Sequence, residues 1–245
     1  MKMTNKAIAA FLSLFISAVF VLPFITSCGK AGIVSGASSN TQFQVFNVSP
    51  NVGPIDLYAN YIKQNTSPYI YTYGASYFYI SPSDTLLQIR TTQYPSVSII
   101  SLDTTKGVLK LLSNHKYSLF VTGLASNISY VFTVDDTAST PQAGYGKLRF
   151  INVCLQPQDL GLDITANGTT AFSAVKFKQI SKYIKLPAGN YNFQINQTGS
   201  PATILSTPNI QAVTIHDGSL YTLYAYGVVG QTDTSAFNAA VITNR

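Results

Sequence analysis

The chain carries one sequence pattern twice, at a distance of about 105 residues. Short blocks of alternating apolar and polar residues return in the same order, while the spacing between blocks drifts by a few residues. The first copy has them at Phe43–Val48, Ile55–Asn60, Tyr77–Ile80, Leu87–Ile89 and Tyr117–Gly123, and the second at Leu148–Val153, Leu162–Asn167, Tyr183–Leu186, Phe193–Ile195 and Tyr221–Gly227. A period of this length is that of a domain and not of a solenoid repeat. The repeat therefore predicts two tandem domains of one fold.

Each copy has the sequence features of β structure. Apolar side chains alternate in short runs, as at Tyr191, Phe193 and Ile195, with the period of a strand. Asn167-Gly168 is a typical two-residue hairpin turn. The chain has 16 Tyr and 14 Phe and no Glu, a composition that favours strands over helices. About seven or eight strands per copy predict two tandem immunoglobulin-like antiparallel β-sandwich domains, so the fold class is all-β.

A leader precedes the repeat. Lys2 and Lys6 are followed by the uncharged, apolar segment Ala7–Phe24, which is typical of a secretory signal peptide. A membrane-spanning anchor is the alternative, because 18 uncharged residues approach the lower limit for a span. Ile25-Thr26-Ser27-Cys28 favours the signal peptide, since it resembles the lipobox of bacterial lipoproteins.

The lipobox resemblance implies cleavage before Cys28, acylation of its thiol and of the new amino terminus, and a palmitate-type membrane anchor. Several acyl chains together hold a protein on a membrane stably. The Gly/Ser-rich segment after Cys28 predicts a flexible tether. The expected order is a signal peptide at 1–27, a lipidated tether at 28–40, a first domain at 41–135, a linker at 136–146 and a second domain at 147–245.

The repeated blocks resemble the bacterial domain-of-unknown-function 4397 family. The second copy shows it best, and the first copy is a more diverged member. The matching segments of the second copy are Arg149–Val153, Leu162–Ile164, Asn167-Gly168, Tyr183–Tyr191 and Leu220–Gly227. The resemblance implies extracytoplasmic, often lipid-anchored proteins with immunoglobulin-like modules, and it implies no established activity or functional residues.

The residue types needed for catalysis are sparse and scattered. His115 and His216 occupy separate turns, and Cys154 is a lone cysteine in an apolar strand. There is no zinc-type His/Cys cluster, nucleophile elbow or phosphate-binding glycine loop. We therefore expect no catalytic residues, no metal and no cofactor, and a protein that is not an enzyme. A hydrolase that uses an Asp with His115 or His216 is the less favoured alternative.

Asn47 and Asp56 return in the second copy as Asn152 and Asp163. A shared ligand or cation site would explain the recurrence. Side chains that tie loops to backbone groups would explain it equally, because Asn and Asp commonly do this. The structural role is favoured, since single carboxylates at this spacing do not build a calcium loop.

Two surfaces are candidates for binding. An alternating tyrosine row could stack on sugar rings or on a partner protein, or could form cross-strand pairs that steady the sheet. A lysine cluster with interleaved apolar residues could rest on anionic lipid headgroups, or could simply protect a solvated edge. The tyrosines are Tyr69, Tyr71, Tyr73, Tyr77 and Tyr79, and the lysines are Lys176, Lys178, Lys182 and Lys185.

The net charge and the residues around Cys28 limit the classes of partner and the location that we expect. The net charge of +6 falls to +4 when Lys2 and Lys6 leave with the leader, too weak a basic surface for a nucleic-acid partner. Gly29 follows Cys28 where some bacteria use Asp to retain lipoproteins in the inner membrane, which favours the outer membrane. We expect a non-catalytic envelope lipoprotein, anchored on the periplasmic face or the cell surface, that binds another envelope protein. The alternative is a glycan-binding surface protein.

Overall fold

A computed structural model describes residues 41–245, apart from 73, 75, 85, 93–95, 106, 157, 159–160, 201–203 and 206–209. The described backbone forms strands, turns and a short 3-10 helix at Gly107–Leu109, which confirms the all-β class. The expected leader and tether, with Cys28, lie outside the described residues. Within the described part, no helix is long and apolar enough to span a membrane.

The first module contains eight strands in two four-stranded sheets. They are β1 (Gln42–Asn47), β2 (Ile55–Ala59), β3 (Ile62–Lys63), β4 (Phe78–Tyr79), β5 (Leu86–Thr91), β6 (Ser98–Asp103), β7 (Lys116–Leu124) and β8 (Asn127–Val134). One sheet has the order β4-β1-β7-β8 and the other the order β3-β2-β5-β6.

The second module repeats this topology. Its strands are β9 (Tyr145–Asn152), β10 (Leu162–Ala166), β11 (Thr169–Val175), β12 (Ile184–Pro187), β13 (Gly189–Tyr191), β14 (Phe193–Gln197), β15 (Ile204–Leu205), β16 (Val213–Ile215), β17 (Leu220–Tyr226) and β18 (Asn238–Thr243). The sheets β12-β9-β17-β18 and β11-β10-β14-β15 match those of the first module strand by strand, and β13 pairs with β16. The predicted run Tyr191–Ile195 is divided between β13 and β14.

Each module has its own apolar core between its two sheets. In the first module Phe43 and Leu119 meet Leu57 of the opposite sheet, and all three are buried. In the second module Phe150 packs in the same way with Ile164 of the facing sheet. Alternate residues of each strand therefore point into the core, as the period of two requires. The predicted sandwich character is thus present in both copies.

One strand pair in each module departs from the antiparallel prediction. β1 runs parallel to β7, and β9 runs parallel to β17. Parallel pairs occur where both faces of a sheet are covered, and their strands read as nearly continuous apolar runs. All seven residues of β17 are buried, as are seven of the nine residues of β7. The parallel pairing thus goes with burial of these sheets on both faces.

The second face is covered because the two modules pack together through these sheets. Phe46 of β1 stacks on Phe120 of β7 at a ring distance of 4.7 Å. Tyr224 of β17 lies against both rings, at 5.5 Å and 5.2 Å. Ile151 and Val153 belong to the same buried cluster. Residues 41–245 accordingly belong to one compact unit.

Candidate functional site

A buried ion pair lies where the two modules meet. Asp135 directly follows β8, and Arg149 lies in the middle of β9. Their side chains are 0% and 4% exposed, and Arg149 Nη2 donates a hydrogen bond to Asp135 Oδ1. A charged pair withdrawn from water requires further hydrogen bonds to offset the loss of hydration. We call the pair and its hydrogen-bonding neighbours the polar centre.

The carboxylate of Asp135 has partners on both oxygens. Thr133 Oγ1 donates to Oδ1 at 2.6 Å, and Tyr77 OH donates to Oδ2 at 2.7 Å. Ser118 Oγ also donates to Oδ2. A buried carboxylate oxygen needs hydrogen-bond donors in place of the water that it has lost. Asp135 is therefore fixed in place and fully occupied by the protein itself.

The guanidinium of Arg149 is equally well held. Its Nε donates to Thr222 Oγ1 at 2.9 Å, and its Nη1 donates to the carbonyl oxygen of Val134 at 2.9 Å. Its Nη2 also reaches Thr133 Oγ1 at 3.1 Å. The guanidinium carbon lies 5.1 Å from the centre of the Tyr183 ring. These contacts join β8 of the first module to β9 and β17 of the second.

The polar centre is built from equivalent positions of the two copies. Gln44 is the cross-strand partner of Ser118, as Arg149 is of Thr222. Asp135 follows β8 at the position that Asn244 takes after β18, as the strand registers show. The same surface patch of each module therefore faces the other, as in an isologous dimer. The charges arise where the copies differ, with Arg149 in place of Gln44 and Asp135 in place of Asn244.

Two equivalent tyrosines close the polar centre. Tyr77 OH accepts a hydrogen bond from Asn244 Nδ2 at 3.0 Å, and Tyr183 OH donates to the carbonyl oxygen of Asp135 at 2.9 Å. Burial raises the pKa of Tyr77, and the negative charge of Asp135 raises it further. Both hydroxyls are therefore fixed in the un-ionised form at neutral pH.

The predicted tyrosine face is not formed by the four tyrosines that the structure describes. Tyr69 lies in the core of the first module at 4% exposure, whereas Tyr79 is 67% exposed. Tyr71 packs against Tyr226 between the modules, and Tyr77 belongs to the polar centre. Tyr73 lies outside the described residues.

The tyrosines diverge because the segment that carries most of them is not a strand. Tyr69 and Gly74 make only isolated bridges, with Ile55 and Phe46, and Thr72 between them has a positive φ of 65°. Such a backbone breaks the alternation of side chains that a regular strand imposes. The described tyrosines of this row therefore do not share one exposed face.

The four lysines are exposed, but they do not share a strand pair. Lys185 lies in the edge strand β12, with its Nζ 5.5 Å from the Tyr145 ring centre. The other three precede β12 in the connection from β11. Lys178 has a positive φ of 66°, so this connection turns where a second strand was expected. The basic surface is thus a loop and one strand edge.

The histidines and the lone cysteine have separate surroundings. His115 Nδ1 lies 3.0 Å from Asp136 Oδ1 at the surface, and the ring of Tyr117 is 6.4 Å away. The backbone N–H of His216 donates to Tyr221 OH.

Cys154 is buried, and burial raises the pKa of its thiol to about 12. No group of three or more His, Cys, Asp or Glu that could hold a metal occurs among the described residues.

The recurrent Asn and Asp residues tie loops to the sheets. Asn47 Nδ2 donates to the carbonyl oxygens of Gly53 and Tyr69, and Asn152 Nδ2 donates to that of Val175. Each Asn also accepts a backbone N–H two residues along the chain. Asp56 accepts hydrogen bonds from Lys63 and Asn65, while Asp163 accepts them from Ala174 N and Thr198 Oγ1. The structural interpretation is confirmed.

Arg149 is the residue from which the polar centre could have been predicted. Arg149 stands among Leu148, Phe150 and Ile151, so apolar residues lie on both faces of this part of the strand. Apolar residues on both faces indicate that both are covered, and a charged residue on a covered face needs a partner. Asp135 had no comparable signal, because it ends a strand beside the expected linker.

The fold and the polar centre define a protein of two like β-sandwich modules joined face to face. A family model described as "Domain of unknown function (DUF4397)" matches residues 41–160 and again residues 154–244. The chain belongs to this family and carries its domain in tandem, as the repeated blocks predicted. No curated protein matches the chain.

Proposed function

We propose that the protein is a non-catalytic binding module of the cell envelope, anchored by lipid at Cys28, that presents its two sandwiches to a partner as one rigid body. The observation that carries the proposal is the buried Asp135–Arg149 pair between the modules. Modules that work independently are joined by mobile, polar interfaces. A desolvated ion pair instead requires one particular orientation, because any other leaves a buried charge without its partner.

The burial and the hydrogen bonds of the polar centre support a non-catalytic role. General acid–base or nucleophilic groups need free access to a substrate. Asp135 and Arg149 are buried, and their hydrogen-bonding atoms are turned to neighbouring protein groups. The surface pair of His115 and Asp136 is the arrangement that the hydrolase alternative requires, so it is the place to test that alternative by substitution.

The envelope location rests on the leader. The basic start, the apolar segment and the lipobox-like Ile25–Cys28 all fit export and acylation. Acyl chains at Cys28 would place the described modules next to a membrane, with the segment 29–40 as spacer. The exposed Lys176, Lys178, Lys182 and Lys185 would then suit contact with anionic headgroups.

The anchor is tested by the Cys28→Ala variant in cells fed an alkyne analogue of palmitate. We expect the wild-type protein to carry the label and the variant to lose it, because the acylated thiol is gone. The matched control is Cys154→Ala, which leaves Cys28 in place. Label that persists in Cys28→Ala, or that is lost in Cys154→Ala, would contradict the proposal.

The binding role is tested by amine crosslinking in intact cells, with protease treatment of parallel samples to report surface exposure. We expect a discrete adduct of the wild-type protein and a weaker adduct for Arg149→Gln, which loosens the two modules while leaving their outer surfaces intact. If adducts form equally with Arg149→Gln, the rigid arrangement is not needed. If none forms with the wild type, the binding role is wrong.

A further inference from the structure

The sheet β3-β2-β5-β6 has an outer face, turned away from the core of the first module, that carries an unusual cluster. Tyr58 on β2 is the cross-strand partner of Gln88 on β5. Gln88 is in turn opposite Ser101 on β6, and Arg90 is opposite Ser98. These five side chains form the outer-face cluster, and Tyr61 in the adjoining β2–β3 turn overhangs it.

Arg90 is the centre of the cluster. Its guanidinium carbon lies 4.5 Å from the ring centre of Tyr58 and 5.8 Å from that of Tyr61. Its Nη2 donates to Gln88 Oε1 at 2.6 Å, and its Nε is buried without a partner among the described residues. Two aromatic rings thus hold a guanidinium whose side-chain hydrogen bonding among the described residues is limited to the one bond to Gln88.

No carboxylate of the described residues neutralises Arg90. Asp56 is its direct cross-strand partner. The carboxylate of Asp56 instead binds Lys63 Nζ at 2.8 Å and Asn65 Nδ2 at 2.7 Å. The outer-face cluster therefore presents one uncompensated positive charge beside aromatic, amide and hydroxyl groups.

Tyr61 occupies a conformation that disfavours its side chain. It is the second residue of the Asn60-Tyr61 turn, with φ values of 46° and 69°, and it is 68% exposed. Such turns favour glycine at this position, and the equivalent turn of the second module has Gly168. Strain of this kind accumulates at functional sites. An exposed tyrosine at a turn position that favours glycine indicates that Tyr61 has a role other than in folding.

The second module serves as an internal comparison. The strand registers place Thr165, Gly168 and Asn196 where the first module has Tyr58, Tyr61 and Arg90. The second module builds the same sheet order without an aromatic or cationic residue at these positions. The outer-face cluster is therefore not a requirement of the fold.

We propose that the outer-face cluster binds a carboxylated glycan. The guanidinium of Arg90 would take the sugar carboxylate, for which its planar fork is suited. The exposed Tyr61 ring would stack on a sugar ring, and Gln88, Ser98 and Ser101 would meet its hydroxyls. The inference rests on the proposed function only in treating the protein as a binding module, and it needs neither the lipid anchor nor the polar centre.

An acidic peptide is the competing ligand for a guanidinium. The exposed aromatic ring and the group of amide and hydroxyl side chains favour a sugar. Gln88 Nε2 lies 3.4 Å from both Ser98 Oγ and Ser101 Oγ, and the two hydroxyls are 3.1 Å apart. Three polar groups so close together match the closely spaced hydroxyls of a sugar ring better than the side chain of an acidic residue.

The test uses the full chain in detergent micelles, with polygalacturonate as the probe and binding measured by calorimetry. Methyl-esterified polygalacturonate keeps the ring and removes the charge, and polyglutamate keeps the charge and removes the ring. We expect the ester and polyglutamate each to bind about tenfold more weakly, since a charge-assisted hydrogen bond or a stacked ring is lost. Equal binding of polyglutamate would overturn the glycan assignment in favour of an acidic peptide.

Variants locate the site. Arg90→Gln and Tyr61→Gly are each expected to weaken polygalacturonate binding about tenfold. Tyr79→Ser is the matched control, because Tyr79 is equally exposed on the other sheet of the same module. Thermal unfolding of every variant establishes that it is folded. Binding that survives Arg90→Gln, or that is absent in the wild type, overturns the proposal, while the Cys28 and crosslinking experiments still decide the proposed function.

Discussion

At the scale of single residues, two substitutions between the copies create the charges of the polar centre. Arg149 and Asp135 stand where the opposite copy has Gln44 and Asn244. The neutral residues could make a similar hydrogen-bonded contact between two identical modules. A cation on one side and an anion on the other favour pairing of unlike modules, because like pairs would bury two charges of one sign.

Removing one charge of the pair should be much more harmful than removing both. We expect Arg149→Gln to lower the free energy of unfolding by about 3–5 kcal/mol, because Asp135 then stays buried without its cation. The double variant Asp135→Asn with Arg149→Gln should regain most of that loss. Urea unfolding of the wild type, of the single variants Arg149→Gln and Asp135→Asn, and of the double variant measures this. A double variant whose loss equals the sum of the single losses would show that the two side chains do not interact.

The strained turn residue allows the opposite kind of prediction. Tyr61→Gly should raise the free energy of unfolding by about 1 kcal/mol, because glycine adopts a φ of 69° without steric conflict. Gly168→Tyr should lower it by a similar amount, although a side chain there meets open space. Thermal unfolding decides between the outcomes. A Tyr61→Gly variant of lower stability would mean that the ring packs favourably enough to outweigh its conformation.

At the scale of elements, sequence predicts what is local. The period-two runs correctly predicted strands, and Asn167-Gly168 correctly predicted a hairpin. Both signals are local, because alternation and a preferred positive φ are properties of a few adjacent residues. The parallel pairing of β1 with β7 could not be obtained in this way. A strand has the same alternation whether its partner runs parallel or antiparallel.

The strand structure predicted for the two candidate surfaces is absent for a related reason. The tyrosine row and the lysine cluster were treated as regular strands, but Thr72 and Lys178 have positive φ values that end any strand there. Neither residue is a type that favours this conformation. The sequence of a turn is informative when it contains Gly or Asn, and much less informative when the fold imposes the turn.

The apolar contact between modules should decide whether they unfold together. Phe46 stacks on Phe120 and packs against Tyr224 of the other module. We expect Phe46→Ala to lower stability by about 3–5 kcal/mol and to split one calorimetric transition into two, because the loss falls on the shared contact. Phe43→Ala, buried inside the first module, should destabilise without such a split. Two transitions in the wild type would contradict the coupling.

At the scale of the whole molecule, the two sandwiches form four sheet layers with tyrosines in the middle. Burial raises the pKa of Tyr71 to about 12, with a further contribution from Tyr226. Burial likewise raises the pKa values of Tyr77 and Tyr224. These phenols would have to leave the contact between the modules, or break it, in order to ionise.

This arrangement predicts unfolding in alkali. An unfolded tyrosine ionises near pH 10, whereas the buried ones hold their protons to higher pH. Above pH 10 the unfolded state therefore binds fewer protons than the folded state, so the contribution of these tyrosines to stability is constant below pH 10 and falls as the pH rises beyond it. Urea midpoints measured from pH 9 to about pH 12, with tyrosinate absorbance as the second signal, follow this loss. A midpoint that stays level across the range would show that the tyrosines ionise without disturbing the fold.

The parallel pairing of β1 with β7 also determines how the first module responds to force. Six residues of β1, Gln42–Asn47, are in register with Lys116–Val121. A pull on the chain ahead of residue 41 acts along β1, so its hydrogen bonds to β7 are sheared together and not opened one after another. The start of the module is thus the part of the sheet best suited to bear tension, and a protein held by that end would resist being peeled apart.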